Sequence, residues 1–256
     1  MPDRRRLARS APELYDTAAQ LNSAADQIVA IPADATDPVA APQIVAKVEQ
    51  RLGPITLLIN NAGQFRAFGL IETVDPAAWW NEVEVNLRGP FLYARAVLPG
   101  MRARRRGRII NVASIAGVQG VPTMSAYVVS KTALIRPTEI MAQETAEDGI
   151  QVFAIHPGPV RTPMNDYVHD SPTVTECAPQ VQEWFRALYA EKRDTPIERS
   201  VELVLRLAAG DADTLSGRYV SVEDDLDALI KQFAMERPAE QRMLRRVGIT
   251  AFSAES

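Results

Sequence analysis

Tyr127 and Lys131 stand four residues apart in the segment SAYVVSK, which is predicted to be helical. Residues at i and i+4 lie on the same face of a helix, so the ammonium group can approach the phenol oxygen. A free phenol has a pKa of about 10, and a neighbouring cation moves that pKa toward neutral pH. The spacing therefore predicts Tyr127 as a general acid or base whose pKa Lys131 lowers. A contact on the helix surface is the alternative interpretation.

Ser114 stands thirteen residues before Tyr127, at the C-terminal end of a predicted strand. Ligands of open α/β sheets bind at the carboxyl ends of the strands. A hydroxyl at that place could donate a hydrogen bond to a substrate carbonyl oxygen. The serine could equally cap a helix or a turn.

Short apolar runs alternate with longer stretches of helical period from Ile28 onward, as expected of a parallel sheet covered by helices on both faces. The predicted strands span residues 28–31, 55–60, 108–114, 150–158 and 217–222. The predicted helices span residues 39–52, 76–103 with a bend at Gly89-Pro90, 125–147 and 200–210, and a helical tail from residue 223 that breaks at Pro238. We therefore predict one three-layer α/β domain over residues 1–256, with a doubly wound, mostly parallel sheet and its core over about residues 6–222.

The segment from Thr162 to Pro196 is predicted to be an irregular, mobile connection, because prolines interrupt it repeatedly. Long loops in compact domains are often functional lids, and surface decoration is the alternative. Its aromatic residues suggest an apolar or aromatic substrate, although aromatic residues on an amphipathic helix usually belong to the core. These residues are Tyr167, Trp184, Phe185 and Tyr189.

Composition narrows the classes of partner. The formal net charge of −4, from 28 basic and 32 acidic residues, gives no whole-chain attraction to nucleic acid or to an anionic membrane. One cysteine and two histidines lack the spacing of a zinc site, and a single cysteine cannot form an internal disulfide. No apolar run approaches the length of a membrane span. We expect a cytoplasmic protein that binds small molecules or other protein chains.

Four motifs together resemble the short-chain dehydrogenase/reductase family, from about Arg6 to about Asp227. They are NNAG at 60–63, VNLRGPF with Asn86, Ser114 followed by the YxxxK pair of Tyr127 and Lys131, and PGPVRTPM at 157–164. The resemblance implies a Rossmann-like fold and interconversion of a carbonyl and a secondary alcohol with NAD(P)(H). The implied partner is a small carbonyl or alcohol substrate.

The resemblance also implies site residues. Tyr127 would exchange a proton with the substrate oxygen, and Ser114 would hydrogen-bond that oxygen. Lys131 would lower the pKa of the tyrosine and hold the nicotinamide ribose, while Asn86 would position a water in the proton relay. The implied cofactor-binding residues are Asn60, Ala62, Gly63, Tyr127, Lys131, Pro157, Gly158, Val160 and Thr162, together with Asp34 at the adenine amine. A turn residue is the alternative for Asp34.

In that family a strand, a glycine-rich turn and a helix at the start of the chain hold the cofactor pyrophosphate. This sequence has no glycine before Gly53, and LARS (7–10) with the residues after it resembles the second strand and its helix. We therefore expect a βα unit of roughly 30 residues to be missing. A wrong start or missing exon, a decayed gene copy and a functional shortened protein are the three explanations. Arg9 favours NADP(H) over NAD(H), with an exposed arginine near a chain end as the alternative.

The sequence leaves two candidate functions. The first is an NAD(P)(H)-dependent oxidoreductase with Tyr127 as general acid or base. The second is a catalytically impaired or inactive relative that acts as an interaction module, which the missing pyrophosphate site favours. Members of the family commonly form dimers or tetramers through their two long helices, so the resemblance implies a homo-oligomer through residues 76–103 and 125–147.

Overall fold

The computed structural model describes residues 11–20 and 28–235. Within them, four parallel strands form one sheet in the order β1-β2-β3-β4. The strands are β1 (Leu57–Asn60), β2 (Gly107–Val112), β3 (Ile150–His156) and β4 (Tyr219–Ser221). Their register places Asn60 opposite Asn111, and Val112 opposite Ile155. The carboxyl ends of β1, β2 and β3 therefore open at the same edge of the sheet.

Ten α-helices connect and cover the described strands. They are α1 (Ala11–Gln20), α2 (Ala40–Leu52), α3 (Pro76–Val83), α4 (Gly89–Arg104), α5 (Ser125–Glu144), α6 (Pro163–Asp170), α7 (Pro172–Cys177), α8 (Pro179–Ala190), α9 (Ile197–Ala209) and α10 (Leu226–Met235). A π-helical segment, Glu84–Arg88, joins α3 to α4, and a 3₁₀ turn, Ile115–Gly117, follows β2. Within the described residues, no helix combines the length and apolar character that crossing a bilayer requires.

Successive residues of β2 pack against opposite helical layers, because side chains of a strand alternate between its two faces. Ile109 belongs to the cluster that contains Val97 and Met101 of α4. Ile110 belongs to the cluster that contains Leu207 of α9. The sheet is thus enclosed between two layers of helices, and the predicted three-layer, Rossmann-like α/β fold is confirmed.

The prediction of a strand at Ile28–Ile31 was wrong, since this segment has no regular secondary structure. A strand exists through hydrogen bonds to a neighbouring strand, and none of the described strands pairs with these residues. β1 lies at the edge of the described sheet and pairs there with β2. Ile59 of β1 is 42% exposed, which is high for a residue of a parallel sheet.

The prediction of an irregular connection after Thr162 was also wrong. Three helices, α6, α7 and α8, fill most of it, and each begins at a proline. Proline suits the first position of a helix because its fixed φ matches the helix and its missing N–H would have no helical partner there. The prolines therefore start helices in this segment.

Candidate active site

Ser114 lies at the carboxyl end of β2, immediately before the 3₁₀ turn. Its Oγ accepts a hydrogen bond from the backbone N–H of Ala116 at 3.2 Å, so it caps this turn. The same hydroxyl is hydrogen-bonded to the phenol of Tyr127. The turn cap that the sequence left open is therefore present, and the same serine also contacts Tyr127.

Tyr127 lies in the first turn of α5. Burial raises the pKa of Tyr127 to about 12; the hydrogen bond from Ser114 acts in the opposite direction, and the charge of Glu82 adds to the increase. The expected lowering of this pKa is therefore wrong for this structure. Loss of hydration, which disfavours the phenolate, outweighs the favourable interactions.

Lys131 lies one turn further along α5, and its side chain is buried. Its Nζ donates to the carbonyl oxygen of Val112 at 2.8 Å and lies 5.6 Å from the centre of the Tyr127 ring. Burial lowers the pKa of Lys131 to about 8, and the negative charge of Glu82 opposes that shift. The ammonium is thus directed to the end of β2, close to the tyrosine.

Asn86 lies in the π-helical segment and is fully buried. Its Oδ1 accepts from the N–H of Gln64 at 2.7 Å, and its Nδ2 donates to the carbonyl of Gln64 at 2.9 Å and to Oγ of Ser130 at 3.1 Å. Both amide protons are therefore in use. A water held by this side chain, as the resemblance implies, would have to donate to Oδ1.

Asn60 ends β1 and Gly63 follows it, and the two residues have different surroundings. Nδ2 of Asn60 donates to Oδ1 of Asn111 at 2.8 Å, and Asn111 donates to Oγ1 of Thr138 at 2.9 Å, so this amide joins β1 to β2 and α5. A Cβ on Gly63 would lie 3.3 Å from Oδ1 of Asn86 and 3.7 Å from Nζ of Lys131. Gly63 therefore adjoins the buried polar groups, and Ala62 beside it is exposed.

Residues 157–162 leave the end of β3 and turn into α6. Gly158 has φ of +80°, and a Cβ there would lie 2.1 Å from Oγ1 of Thr195, so only glycine fits. Thr162 caps α6, with Oγ1 accepting from the N–H of Asn165 at 3.4 Å. The carbonyls of Val160 and Pro157 accept from side chains of Asn165 and Ser200 respectively. The segment is held at the same edge of the sheet as Ser114.

One predicted cofactor residue, Asp34, does not lie with Ser114, Tyr127 and Lys131. Oδ1 of Asp34 accepts from the N–H and the hydroxyl of Thr36, at 2.8 and 2.7 Å. Asp34 is exposed and forms a turn, in agreement with the alternative interpretation. Arg9 lies outside the described residues.

Glu82 is a residue at this site that sequence reasoning missed. It is fully buried on α3, and Oε2 accepts from the N–H groups of Arg66 and Ala67. Burial raises the pKa of Glu82 to about 7, against the two backbone hydrogen bonds and the charge of Lys131. The sequence could have indicated Glu82 by its position four residues before Asn86, because this spacing places both side chains on one face of a continuous helix.

Aromatic side chains pack next to Tyr127. The ring of Phe65 lies 4.3 Å from that of Tyr127 and 6.5 Å from that of Phe185 on α8. The guanidinium of Arg66 lies 3.5 Å from the centre of the Tyr167 ring on α6. Phe185 is buried in this cluster, whereas Trp184 is about half exposed.

The parallel sheet, with a buried lysine and a serine-bonded tyrosine at its carboxyl edge, defines a doubly wound α/β protein of the nucleotide-binding type. The family model described as short chain dehydrogenase matches residues 5–172. The chain therefore belongs to the short chain dehydrogenase family of NAD(P)-dependent oxidoreductases.

Three similar proteins illustrate the relationship. The "Inactive 2-(S)-hydroxypropyl-CoM dehydrogenase 2" of Xanthobacter autotrophicus is 43% identical over 50% of this chain and 55% of its own length. The "2-(S)-hydroxypropyl-CoM dehydrogenase 3" of the same organism is 35% identical over 77% of this chain and 76% of its own. A gluconate 5-dehydrogenase from Burkholderia cenocepacia, solved with NADP and tartrate, is 26% identical, with a TM-score of 0.64 over 77% of this chain and 74% of that chain.

The residues at the carboxyl edge fit one end of a nicotinamide dinucleotide. Gly63 leaves space beside Nζ of Lys131, and that ammonium has three donors, of which one reaches Val112. Ribose hydroxyls could accept from the others. Residues 1–52 contain no glycine, so this part of the sequence has no glycine-rich turn of the kind that holds a pyrophosphate.

Proposed function

We propose that this chain carries the proton-transfer site of an NAD(P)(H)-dependent oxidoreductase that interconverts a carbonyl and a secondary alcohol, with Tyr127 as general acid or base. The observation that carries this proposal is the convergence of Ser114 and Lys131 on Tyr127 at the carboxyl edge of the sheet. Membership of the short chain dehydrogenase family supports the reaction class.

In carbonyl reduction the phenol of Tyr127 gives its proton to the substrate oxygen, and Ser114 donates a hydrogen bond to the same oxygen. A nicotinamide cofactor, when bound, would supply or accept the hydride at the substrate carbon. A pKa of about 12 keeps the phenol protonated at neutral pH, which suits an acid. Alcohol oxidation requires the phenolate, which this pKa disfavours at neutral pH.

Lys131 holds the ribose hydroxyls, and its ammonium stabilises the phenolate left after proton transfer. Asn86 accepts a hydrogen bond from a relay water at Oδ1, and that water returns the proton toward Tyr127. Gly63, Ala62, Val160 and Thr162 line the space for the nicotinamide, and Pro157 and Gly158 hold the backbone that positions them. Asn60 supports this space through its bond to Asn111.

The preferred cofactor in this proposal is NADP(H) rather than NAD(H). Arg9 supports the preference as a cation for the 2′-phosphate. The gluconate 5-dehydrogenase similar to this chain was solved with NADP. Calorimetric titrations with NADPH and NADH compare the two directly, and tighter binding of NADH would contradict the preference.

Replacement of the tyrosine tests the proposed chemistry. Tyr127→Phe should lower turnover of a carbonyl substrate at least about 100-fold, the usual contribution of a positioned acid or base, while cofactor affinity stays near that of the wild type. Tyr93→Phe, a partly buried tyrosine on α4, is the matched control and should keep its activity. Unchanged turnover in Tyr127→Phe would refute the assignment.

A non-catalytic interaction protein is the second candidate. It is favoured by the similarity to a relative whose name includes "Inactive". This candidate predicts no NADPH or NADH binding by calorimetry on the 256-residue chain. Micromolar binding of either cofactor would contradict it and would support the oxidoreductase.

Self-association through the long helices belongs to the same proposal. A groove of about 530 Å³ between α4 and α5 has a mainly apolar lining that includes Phe91 and Ile140. These two side chains are 54% and 45% exposed. A second copy of the chain, placed by the symmetry of a dimer, would bury both.

A further inference from the structure

Glu82 has one oxygen that is bonded and one that is not. Oε2 accepts from the N–H of Ala67 at 2.9 Å and from that of Arg66. Oε1 is buried and has no hydrogen-bond partner within the described residues. A buried carboxylate with an unpaired oxygen is costly, so its presence needs a reason beyond the fold.

The segment that Glu82 holds is the one that covers the tyrosine. Phe65, immediately before the two bonded N–H groups, lies with its ring 4.3 Å from the ring of Tyr127. Asn86, one turn after Glu82, holds the N–H and the carbonyl of Gln64. Residues 64–67 are therefore bonded by two side chains from one helical face, and Phe65 stands between the bonded positions.

The charges around Glu82 come from α5. The charge of Lys131 acts on Glu82, and the charge of Glu82 acts on both Lys131 and Tyr127. Asn81, Gln64 and Asn86, on α3, on the loop and on the π-helical segment, carry no charge, and the guanidinium of Arg66 lies over the ring of Tyr167. A buried ammonium without a counter-charge tends to lose its proton, and Glu82 supplies that counter-charge.

We propose that Glu82 is a positioning residue for the Tyr127 and Lys131 pair: it fixes Phe65 against Tyr127 through the N–H groups of Arg66 and Ala67, and its charge keeps Lys131 an ammonium. The importance of Glu82 for catalysis rests on the proposed role of Tyr127. Its effects on the position of Phe65 and on the charge of Lys131 do not depend on that role. Glu82 acts through these neighbours and need not touch the substrate.

The consequence is a pair of groups that both change charge close to neutral pH. The pKa of Glu82 is about 7 and that of Lys131 is about 8. Ionised Glu82 raises the pKa of Lys131, because an anion stabilises the ammonium, and it raises the pKa of Tyr127, because it disfavours the phenolate. Removal of the charge should lower both values.

Glu82→Gln tests the charge with the shape of the side chain retained, in the 256-residue chain without cofactor. The pKa of Tyr127 is followed by the ultraviolet absorption of tyrosinate, with Tyr127→Phe as the blank. The pKa of Lys131 is followed by its acylation rate against pH, read by peptide mass spectrometry. Glu82→Gln should lower both pKa values, and one unit at Lys131 means an approximately tenfold larger ratio of neutral to charged lysine.

Two further variants separate charge from position. Glu82→Asp keeps the charge, so Lys131 should remain close to its wild-type pKa. Glu84→Gln removes an exposed acid that pairs with Arg88, and it should leave both pKa values unchanged. Wild-type values for Tyr127 and Lys131 in a folded Glu82→Gln protein would overturn the proposal.

If Glu82→Gln does not fold, the wild type still decides the matter. Carboxyl carbon chemical shifts should show Glu82 titrating near pH 7, and the acylation rate of Lys131 should respond in the same pH range. An acylation rate of Lys131 that does not respond to the ionisation of Glu82 would overturn the proposal. These measurements do not require enzymatic turnover. The proposed function is tested separately, by the activity of Tyr127→Phe, so failure of one proposal can be told from failure of the other.

Discussion

The ring of Phe65 lies against the ring of Tyr127, with 4.3 Å between the centroids and 36° between the planes. Phe65 is buried and also contacts Phe68, at 4.7 Å between ring centroids. This contact joins the segment after β1 to α5. It shields the phenol from water, and burial is the largest cause of the raised pKa of Tyr127.

Phe65→Ala should therefore lower the pKa of Tyr127 from about 12 toward the ordinary value of about 10, because water reaches the phenol. Tyrosinate absorption against pH measures this shift. The substitution should also lower the free energy of unfolding by about 3–5 kcal/mol, as is typical of a buried phenylalanine. Trp184→Ala, which removes a half-exposed ring from α8, is the control, and an unchanged tyrosine pKa in Phe65→Ala would argue against this cause.

Asn86→Ala should destabilise the protein by about 1–3 kcal/mol for each buried group left unpaired. The substitution removes the partners of the N–H and the carbonyl of Gln64 and of the hydroxyl of Ser130. Urea denaturation measures the loss. Asn81→Ala removes one partly buried bond to the side chain of Gln64 and should cost less. Equal losses in the two variants would contradict the role assigned to Asn86.

The grouping of Ser114, Tyr127 and Lys131 could be predicted because it depends on local spacing. Residues four apart on one helix meet in any helix, and a strand end places its serine at the carboxyl edge of the sheet. The pKa of Tyr127 could not be predicted in this way. It depends on the burial that Phe65 provides from 62 positions earlier in the sequence.

Other differences have equally specific causes. Ile28–Ile31 has the composition of a strand, yet strand formation depends on a partner that the segment itself does not reveal. Pro163, Pro172 and Pro179 were interpreted as interruptions, whereas each occupies the first turn of a helix. Glu82 would ordinarily be placed on a solvated face. Its burial follows from two backbone N–H groups in a segment that only the tertiary fold brings near.

His156 should make the protein less stable in acid. Burial lowers the pKa of His156 from 6.5 to about 4, and its Nδ1 accepts from the N–H of Ile115 at 3.3 Å. Below about pH 6.5 the unfolded chain binds a proton that folded His156 does not bind until about pH 4. The free energy of unfolding should therefore fall as pH decreases through this window, by about 3 kcal/mol from this group.

Urea denaturation between pH 7 and pH 4 tests this effect in the wild type and in His156→Gln. Glu82 contributes the opposite trend in part of this range, since its pKa is raised. The difference between the two proteins therefore isolates His156, and it should change in favour of the variant as pH falls. His169→Gln is the matched control and should still show the acid loss. A difference that is constant with pH would contradict a buried, neutral His156.

Phe91→Glu or Ile140→Glu should dissociate the proposed oligomer, because each places a charge in the apolar groove between α4 and α5. Burying an unpaired carboxylate at an interface costs far more than leaving it in water. Leu205→Glu, at a 62% exposed position on α9, introduces the same charge elsewhere and should leave the assembly intact. Light scattering coupled to size exclusion gives the mass of each species. A monomeric wild type at micromolar concentration, or an oligomer that all three variants preserve, would show that this groove is not the contact between copies.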